Sequence, residues 1–381
     1  MKILLVTEFF PADLQLQFTG GVEARTFFIA RHLAESHQVK VICRKTKSLK
    51  KFKKIKNIQI FPTGLSTAKT EASFFSLGER LIFMIAAFFQ ALKQDFDLVE
   101  GSNFVSFLPA FLAGCCRRKP VLAWYADVLK GKWFKLFGLT GLFGGVIERV
   151  SLKLPWTKVI ALSRATKNKL VEAGLDKEKI SLVYGGVEVR KLTSLRIKKD
   201  KNKKNIICIS RLVRYKRVGD LIKAFAGLFK DYQGLTLTIV GRGPEEKKLH
   251  KLVKEKKLGK KAVFLKDLGR KRLLKLLKAS YLFCLPSVVE GFGLATLEAA
   301  ACQTPYIITD IKVNKEVTGN GQGGLLFKKK DVKDLQKKIK QLLEDKNLYQ
   351  QKQQEGLKLA EKYDWKKIAG QTNKIYQQVL N

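Results

Sequence analysis

Short apolar runs alternate with amphipathic stretches along this chain, and the alternation happens twice. In the first half, KILLVT (2–7) reads as a buried strand. VKVIC (39–43), IQIF (58–61), DLVEG (97–101), VLAWY (121–125), KVIALS (158–163) and ISLVY (180–184) are further strand candidates. Helical stretches fit between them at 22–35, 76–93, 141–153 and 164–173. The pattern then breaks at RIKKDKNKKN (196–205), which is charged, poor in apolar residues, and reads as a linker. It restarts with strands at 205–210, 235–241, 262–266, 281–287 and 305–310. Helices are expected at 218–230, 244–257, 270–279 and 294–302, and a mostly helical tail from 331 breaks near Tyr363, Asp364 and Trp365. Two successive strand–helix arrays imply an α/β protein with two Rossmann-like, doubly wound parallel-sheet domains facing a central cleft. The boundary implied is 1–196 and 197–381.

Composition sharpens this picture. At 381 residues the chain has room for two domains, and its 46% hydrophobic content excludes a disordered basic chain. Its 74 Lys plus Arg against 33 Asp plus Glu leave a net charge of +41, spread over both halves. Such a field favours anionic partners: phosphorylated small molecules, anionic lipid or nucleic acid. The six cysteines show neither CxxC nor zinc-finger spacing and read as reduced, buried thiols. The opening residues do not read as a secretory signal, and the runs at 81–92 and 104–116 are shorter than the ~18–20 residues of a spanning helix. The expectation is a cytoplasmic protein, peripheral at most on the inner face of the cell membrane.

In open parallel sheets ligands bind beyond the carboxyl ends of strands, so the loops there are the places to look. Arg211, Arg214, Lys216 and Arg217 follow the strand at 205–210, and four close cations suit a diphosphate. Gly241 and Gly243 follow the next strand and let backbone pass close to a ligand, although a tight turn needs the same glycines. The segment LPSVVEGFGLATLEAAACQTP (285–305) is the most informative. Glu290 precedes Gly291, Phe292 and Gly293, and Leu294 opens a helix that carries Glu298. The amides of that helix start form an anion site, and the two carboxylates offer acceptors for sugar hydroxyls. Eight helical positions would separate the two Cα atoms by ~12 Å. Glycosidase pairs stand only ~5–9.5 Å apart, so holding a ligand suits Glu290 and Glu298 better than hydrolytic acid/base work.

EGFGLATLEAAACQTP resembles the E-x7-E signature of the family 4 glycosyltransferases, retaining enzymes of the GT-B fold. Gly20, Gly21, Val22 and Glu23 resemble the family's N-terminal GGVE loop, and LSRATKNKL (162–170) its S-x-x-T segment. SRLVRYKR (210–217) is similar to its S/G-R-L-x-x-x-K loop, and IVGRGP to its VGxGP turn. The resemblance implies transfer of a sugar from a nucleoside-diphosphate sugar to an acceptor hydroxyl of a glycan, a lipid-linked molecule or another envelope glycoconjugate. Arg211 and Lys216 would hold the diphosphate, helped by amides around Gly20 and Gly21 and after Gly293. Glu298 would hold the ribose and Glu290 the transferred sugar; no metal or other cofactor is implied. The family usually places a His before Asp127, on the acceptor side, and Ala126 stands there. The family's N-G-V-D/E turn appears as Gly185, Gly186, Val187 and Glu188, without the Asn.

Other signals carry less. GNGQGG (319–324) precedes rather than follows a strand-like run, the reverse of a dinucleotide fingerprint. Asp95 and Asp97 join a helix end to a strand, and His32, His37 and His250 form no metal-ligand spacing. In LKGKWFKLFG (129–138), Lys130, Lys132 and Lys135 interleave with Trp133, Phe134 and Phe137. Two readings stay open for it: a segment at an anionic membrane surface, or a loop covered by lysine stems. The basic KSLKKFKKIK (47–56) would join that surface if it faces the same way. Two alternatives to transfer remain: a catalytically silent nucleotide-sugar-binding relative, suggested by Ala126, and a nucleic-acid-binding protein, for which no recognisable motif appears.

Overall fold

The computed structural model describes residues 1–12, 20–67, 77–134, 138, 140–197 and 203–381. Its first sheet contains β1 (Lys2–Val6), β2 (Gln38–Thr46), β3 (Lys53–Ile55), β4 (Ile58–Thr67), β5 (Leu98–Gly101), β6 (Val121–Tyr125), β7 (Lys158–Ala161) and β8 (Ile180–Leu182). Their order is β3-β4-β2-β1-β5-β6-β7-β8, so the direction of winding reverses between β1 and β5. All pairings are parallel except β3 with β4. The basic segment at 47–56 thus supplies a lysine-bearing edge strand, and lysines there discourage further pairing.

The helices with this sheet are α1 (Gly21–Leu33), α2 (Leu77–Leu92), α3 (Phe104–Cys116), α4 (Thr140–Lys153) and α5 (Arg164–Glu172). Phe83, Ala87, Ala110, Ala113 and Ile147, from α2, α3 and α4, join Leu4, Val99, Ala123 and Val159 of the sheet in one core. The apolar run at 104–116 is α3, packed between α2 and α4 and started by a reciprocal cap of Asn103 and Ser106.

The second sheet contains β9 (Lys204–Ile209), β10 (Leu235–Val240), β11 (Ala262–Leu265), β12 (Leu282–Leu285), β13 (Tyr306–Thr309) and β14 (Gly324–Phe327). It is parallel throughout in the order β11-β10-β9-β12-β13-β14, with its reversal between β9 and β12. Its helices are α6 (Val189–Thr193), α7 (Val218–Ala226), α8 (Glu246–Glu255), α9 (Arg270–Ala279), α10 (Leu294–Ala301), α11 (Lys312–Thr318), α12 (Val332–Glu344) and α13 (Lys346–Lys362). A last helix, α14 (Trp365–Leu380), packs on α1.

The compact units are Met1–Gly185 with Trp365–Asn381, and Gly186–Asp364. The boundary read from composition at 196/197 falls later, and it places the final helix in the second domain. Packing explains the difference. The Val187 amide donates to the Tyr363 carbonyl at 2.8 Å, so the two points where the chain changes units run side by side. The charged stretch at 196–205 belongs to the second unit, and its residues 198–202 lie outside the described residues. Within the first unit Trp365 stacks on Phe28 with ring centroids 5.1 Å apart, and the Tyr376 hydroxyl donates to Glu100 at 2.8 Å.

Candidate functional site

The switch point of the second sheet brings together the loops that follow β9 and β12. The Val288 amide donates to the Tyr215 carbonyl at 2.9 Å, which fixes one loop on the other. Across that junction Lys216 Nζ reaches Glu290 Oε1 at 2.5 Å, and both side chains are largely buried. On the same loop Arg211 Nη2 donates to the Tyr215 hydroxyl at 2.7 Å. Below them Cys208, on β9, has its thiol pushed up to about 12 by burial, so it is a neutral wall rather than a nucleophile.

The loop after β10 is drawn onto the same place. The Leu212 amide donates to the Arg242 carbonyl at 2.7 Å, and the Glu245 amide donates to the Leu212 carbonyl at 3.0 Å. Gly241 has φ +147°, and a Cβ there would stand 1.9 Å from the Ser210 carbonyl oxygen. At Gly243 a Cβ would come within 2.3 Å of the Leu212 carbonyl oxygen. Both glycines are therefore required by the packing of this loop on the one after β9.

Gly293 caps α10 in the left-handed region at φ +90° and supplies no side-chain acceptor. The first amides of α10 thus differ from those of α3, α5, α12 and α13, where Asn103, Ser163, Asp331 and Asp345 accept from them. Phe292 is buried and meets Tyr363 edge-on with centroids 5.7 Å apart, which pins the glycine loop from below. One turn and more into the helix, Glu298 Oε1 accepts from Arg270 Nη2 at 2.6 Å. Burial works against the charge of Arg270, but the Glu298 carboxylate outweighs it and holds the guanidinium above its ordinary range.

Two family models match, and they meet near the division between the units. "Glycosyltransferase Family 4" covers residues 19–191 and "Glycosyl transferases group 1" covers residues 190–359. The chain belongs to the family 4 glycosyltransferases. An uncharacterized glycosyltransferase of Methanocaldococcus jannaschii is 29% identical over 58% of this chain and 59% of its own. The N-acetyl-alpha-D-glucosaminyl L-malate synthase of Bacillus anthracis is 31% identical over 58% of this chain and 60% of its own. The alignments with these curated relatives thus span about three-fifths of their length. Among solved structures, Anabaena HepE in complex with UDP-glucose is similar at a TM-score of 0.77 and 19% identity, covering 99% of this chain and 100% of that one. The shared architecture is the GT-B fold, with its two parallel-sheet α/β domains.

In this family member Arg211, Lys216, Glu290 and Glu298 all lie on the carboxyl side of the second sheet. Arg270 is not singled out by the sequence: at the start of α9 it is one of 74 cations, and only the fold shows it buried against Glu298. Tyr215, which touches both Arg211 and the β12 loop, escapes the sequence for the same reason.

The remaining candidates belong to the first unit. Gly20 is extended, caps α1 without a side-chain bond, and has no described residue within 4 Å of where a Cβ would be. Asp127 Oδ1 accepts from Lys169 Nζ at 2.5 Å and from the Val128 amide at 2.8 Å. The S-x-x-T segment acts locally, with Ser163 capping α5 through the Thr166 amide while the Thr166 hydroxyl donates to the Ala126 carbonyl at 3.2 Å. Glu148 accepts from the Leu129 amide at 2.8 Å and tethers the loop after β6.

The stretch at 129–138 divides. Trp133 packs edge-on against Phe104 at 5.2 Å, while Phe134 is 59% exposed; Lys135 to Phe137 lie outside the described residues. Two cysteines also depart from the expectation of buried thiols: Cys115 and Cys116 are exposed on α3, whereas the other four are buried. Among the described residues no group of His, Cys, Asp and Glu is arranged to hold a metal ion.

Proposed function

We infer that this protein transfers a sugar from a nucleoside-diphosphate sugar to an acceptor hydroxyl, with retention of anomeric configuration. The observation that carries this reading is the Lys216–Glu290 pair at the switch point of the second sheet, beside Arg211. A cation and a carboxylate at one spot match a donor that carries diphosphate oxygens next to sugar hydroxyls. Lys216 and Arg211 hold the diphosphate and stabilise the charge that builds on it as the glycosidic bond breaks. When Lys216 turns to phosphate, Glu290 is released to accept hydrogen bonds from the transferred sugar. Glu298, held in place by Arg270, accepts from the ribose, and the uncapped amides of α10 face the remaining negative charge. These groups supply the positive charge the leaving diphosphate needs, so the scheme calls for no metal ion.

The UDP-glucose in the Anabaena structure supports a nucleotide-sugar donor. Asp127 is assigned to the acceptor, a hydroxyl of a glycan or a lipid-linked molecule, and the setting is the cytoplasmic face of a membrane. A panel of nucleoside diphosphates and their sugars tests the donor half. A matching donor raises the melting temperature. Lys216→Ala and Arg211→Ala should each remove most of that shift, and a panel without any shift would sink the assignment. Ala126 favours a second reading, a relative that binds the donor without turning it over. Donor binding with neither transfer nor hydrolysis across acceptors would select that reading.

A further inference from the structure

Eight of the fifteen exposed large apolar side chains among the described residues lie on α2, α3 and α4. Exposed apolar residues scattered singly mean little, whereas a contiguous set marks a contact surface. On α2 they are Leu81, Ile82, Ile85 and Phe89, which fall within about 100° of arc at ~100° per residue. The buried Phe83, Ala87 and Ala91 occupy the opposite arc. On α4, Leu142, Val146 and Val150 form a similar stripe opposite the buried Ile147 and Ser151. Leu112, on α3, bridges the two, since α3 packs between α2 and α4. The inward faces of all three helices share one core, so their outward faces form one continuous layer surface.

We propose that this surface docks the protein on an anionic lipid bilayer, lying in the headgroup boundary. Charge supplies the second line of argument. The three helices carry only two carboxylates: Glu79 is bonded to Arg44, and Glu148 is buried. Cations, in contrast, are placed at the edge of the apolar layer. Arg149 and Lys153 share the outer arc of α4, and Arg117, Arg118 and Lys119 are exposed where α3 ends. A second copy of the chain on the same face would oppose these cations with their own kind, whereas anionic headgroups pair with them. None of the described helices is long and apolar enough to cross a membrane, so they lie in the interface plane.

The surface differs from the one expected at 129–138. Among the described residues of that stretch, Trp133 packs against Phe104 and Phe134 is exposed. The proposal stands apart from the transfer reaction, and its test uses no donor. Full-length protein is floated with vesicles of phosphatidylcholine alone and of equal parts phosphatidylcholine and phosphatidylglycerol. Binding to the mixed vesicles that weakens with salt is expected, with little binding to the neutral ones. The pair Ile85→Ser and Phe89→Ser, and separately Leu142→Ser and Val146→Ser, should each lower binding by about tenfold or more. Their melting temperatures should stay at the wild-type value. Failure of the wild type to float with the mixed vesicles overturns the proposal, as does flotation of both variants at the wild-type level. A wild-type dimer that becomes monomeric in either variant, by light scattering, assigns the face to a second copy instead.

Discussion

At the scale of single residues, the site is built from ion pairs whose partners are far apart in sequence. Glu298 is nine-tenths buried, and the guanidinium of Arg270 satisfies it. Removing one partner of such a pair strands the other, which costs on the order of 3 kcal/mol. Arg270→Met should therefore lower the stability of the second unit by about that much. Arg270→Lys should recover only part, because an ammonium does not match the guanidinium's planar fork. Chemical denaturation followed in the second unit checks both, and a Met variant as stable as wild type would refute the pairing. Glu148 provides a pH test. Burial raises its carboxyl above the ordinary range, although the Leu129 amide pulls the other way. The folded protein then holds this proton more tightly than the unfolded chain, so the group costs stability as pH rises past the ordinary carboxylate range. Glu148→Gln, which keeps an acceptor for the Leu129 amide, should gain on wild type as pH goes from about 4 to about 7. Parallel melting curves across that range would contradict it. The spacing of Glu290 and Glu298 could be read from the sequence because it is local; Arg270 could not, because nothing local marks its burial.

At the scale of elements, the glycines separate into those that packing demands and those it does not. Gly241→Ala would drive a Cβ into the Ser210 carbonyl at a φ that L residues rarely adopt. The three loops over the second sheet should then come apart, with a loss of several kcal/mol. Gly20→Ala meets nothing within 4 Å among the described residues, on extended backbone, and should stay within about 0.5 kcal/mol of wild type. Comparable losses from both variants would reject the distinction. A donor effect at Gly20 without a stability effect would tie that glycine to ligand rather than fold. Most strands were readable because buried parallel strands are short, apolar and β-branched. The exceptions have physical causes. β3 is a lysine-bearing edge with little apolar signal, and α11 is a short helix whose sequence carries no sustained period. α3 is covered on most of its surface, so its run 104–116 is apolar nearly all round, with Pro109 inside it. A sequence in which neither face is polar offers no period from which to recognise a helix.

At the scale of the whole molecule, composition revealed two domains but not their true limits. The charged stretch at 196–205 marks a change of composition along the chain, which is a different property from where packing changes hands. The latter is set by α14, whose assignment to the first unit depends on contacts no local pattern reveals. Tyr376 donates to Glu100, which is fully buried and also held by Arg25 of α1; the His37 ring lies 2.8 Å from the Asn373 side-chain oxygen; Trp365 stacks on Phe28. Loss of the helix would leave the Arg25–Glu100 pair short of one hydrogen bond and would expose the aromatic face of α1 to water. Both effects fall on the first unit alone. A chain ending at Asp364 should therefore lose stability chiefly in residues 1–185, while β9 to β14 keep their amide protection. Hydrogen exchange on the truncated and full chains distinguishes the outcomes. Protection lost first from the second sheet would mean that α14 serves that unit, and the 196/197 division would be restored. Tyr376→Phe removes only the buried hydroxyl and should show the same selectivity at a smaller cost of about 1–3 kcal/mol, because Glu100 is left short of a donor.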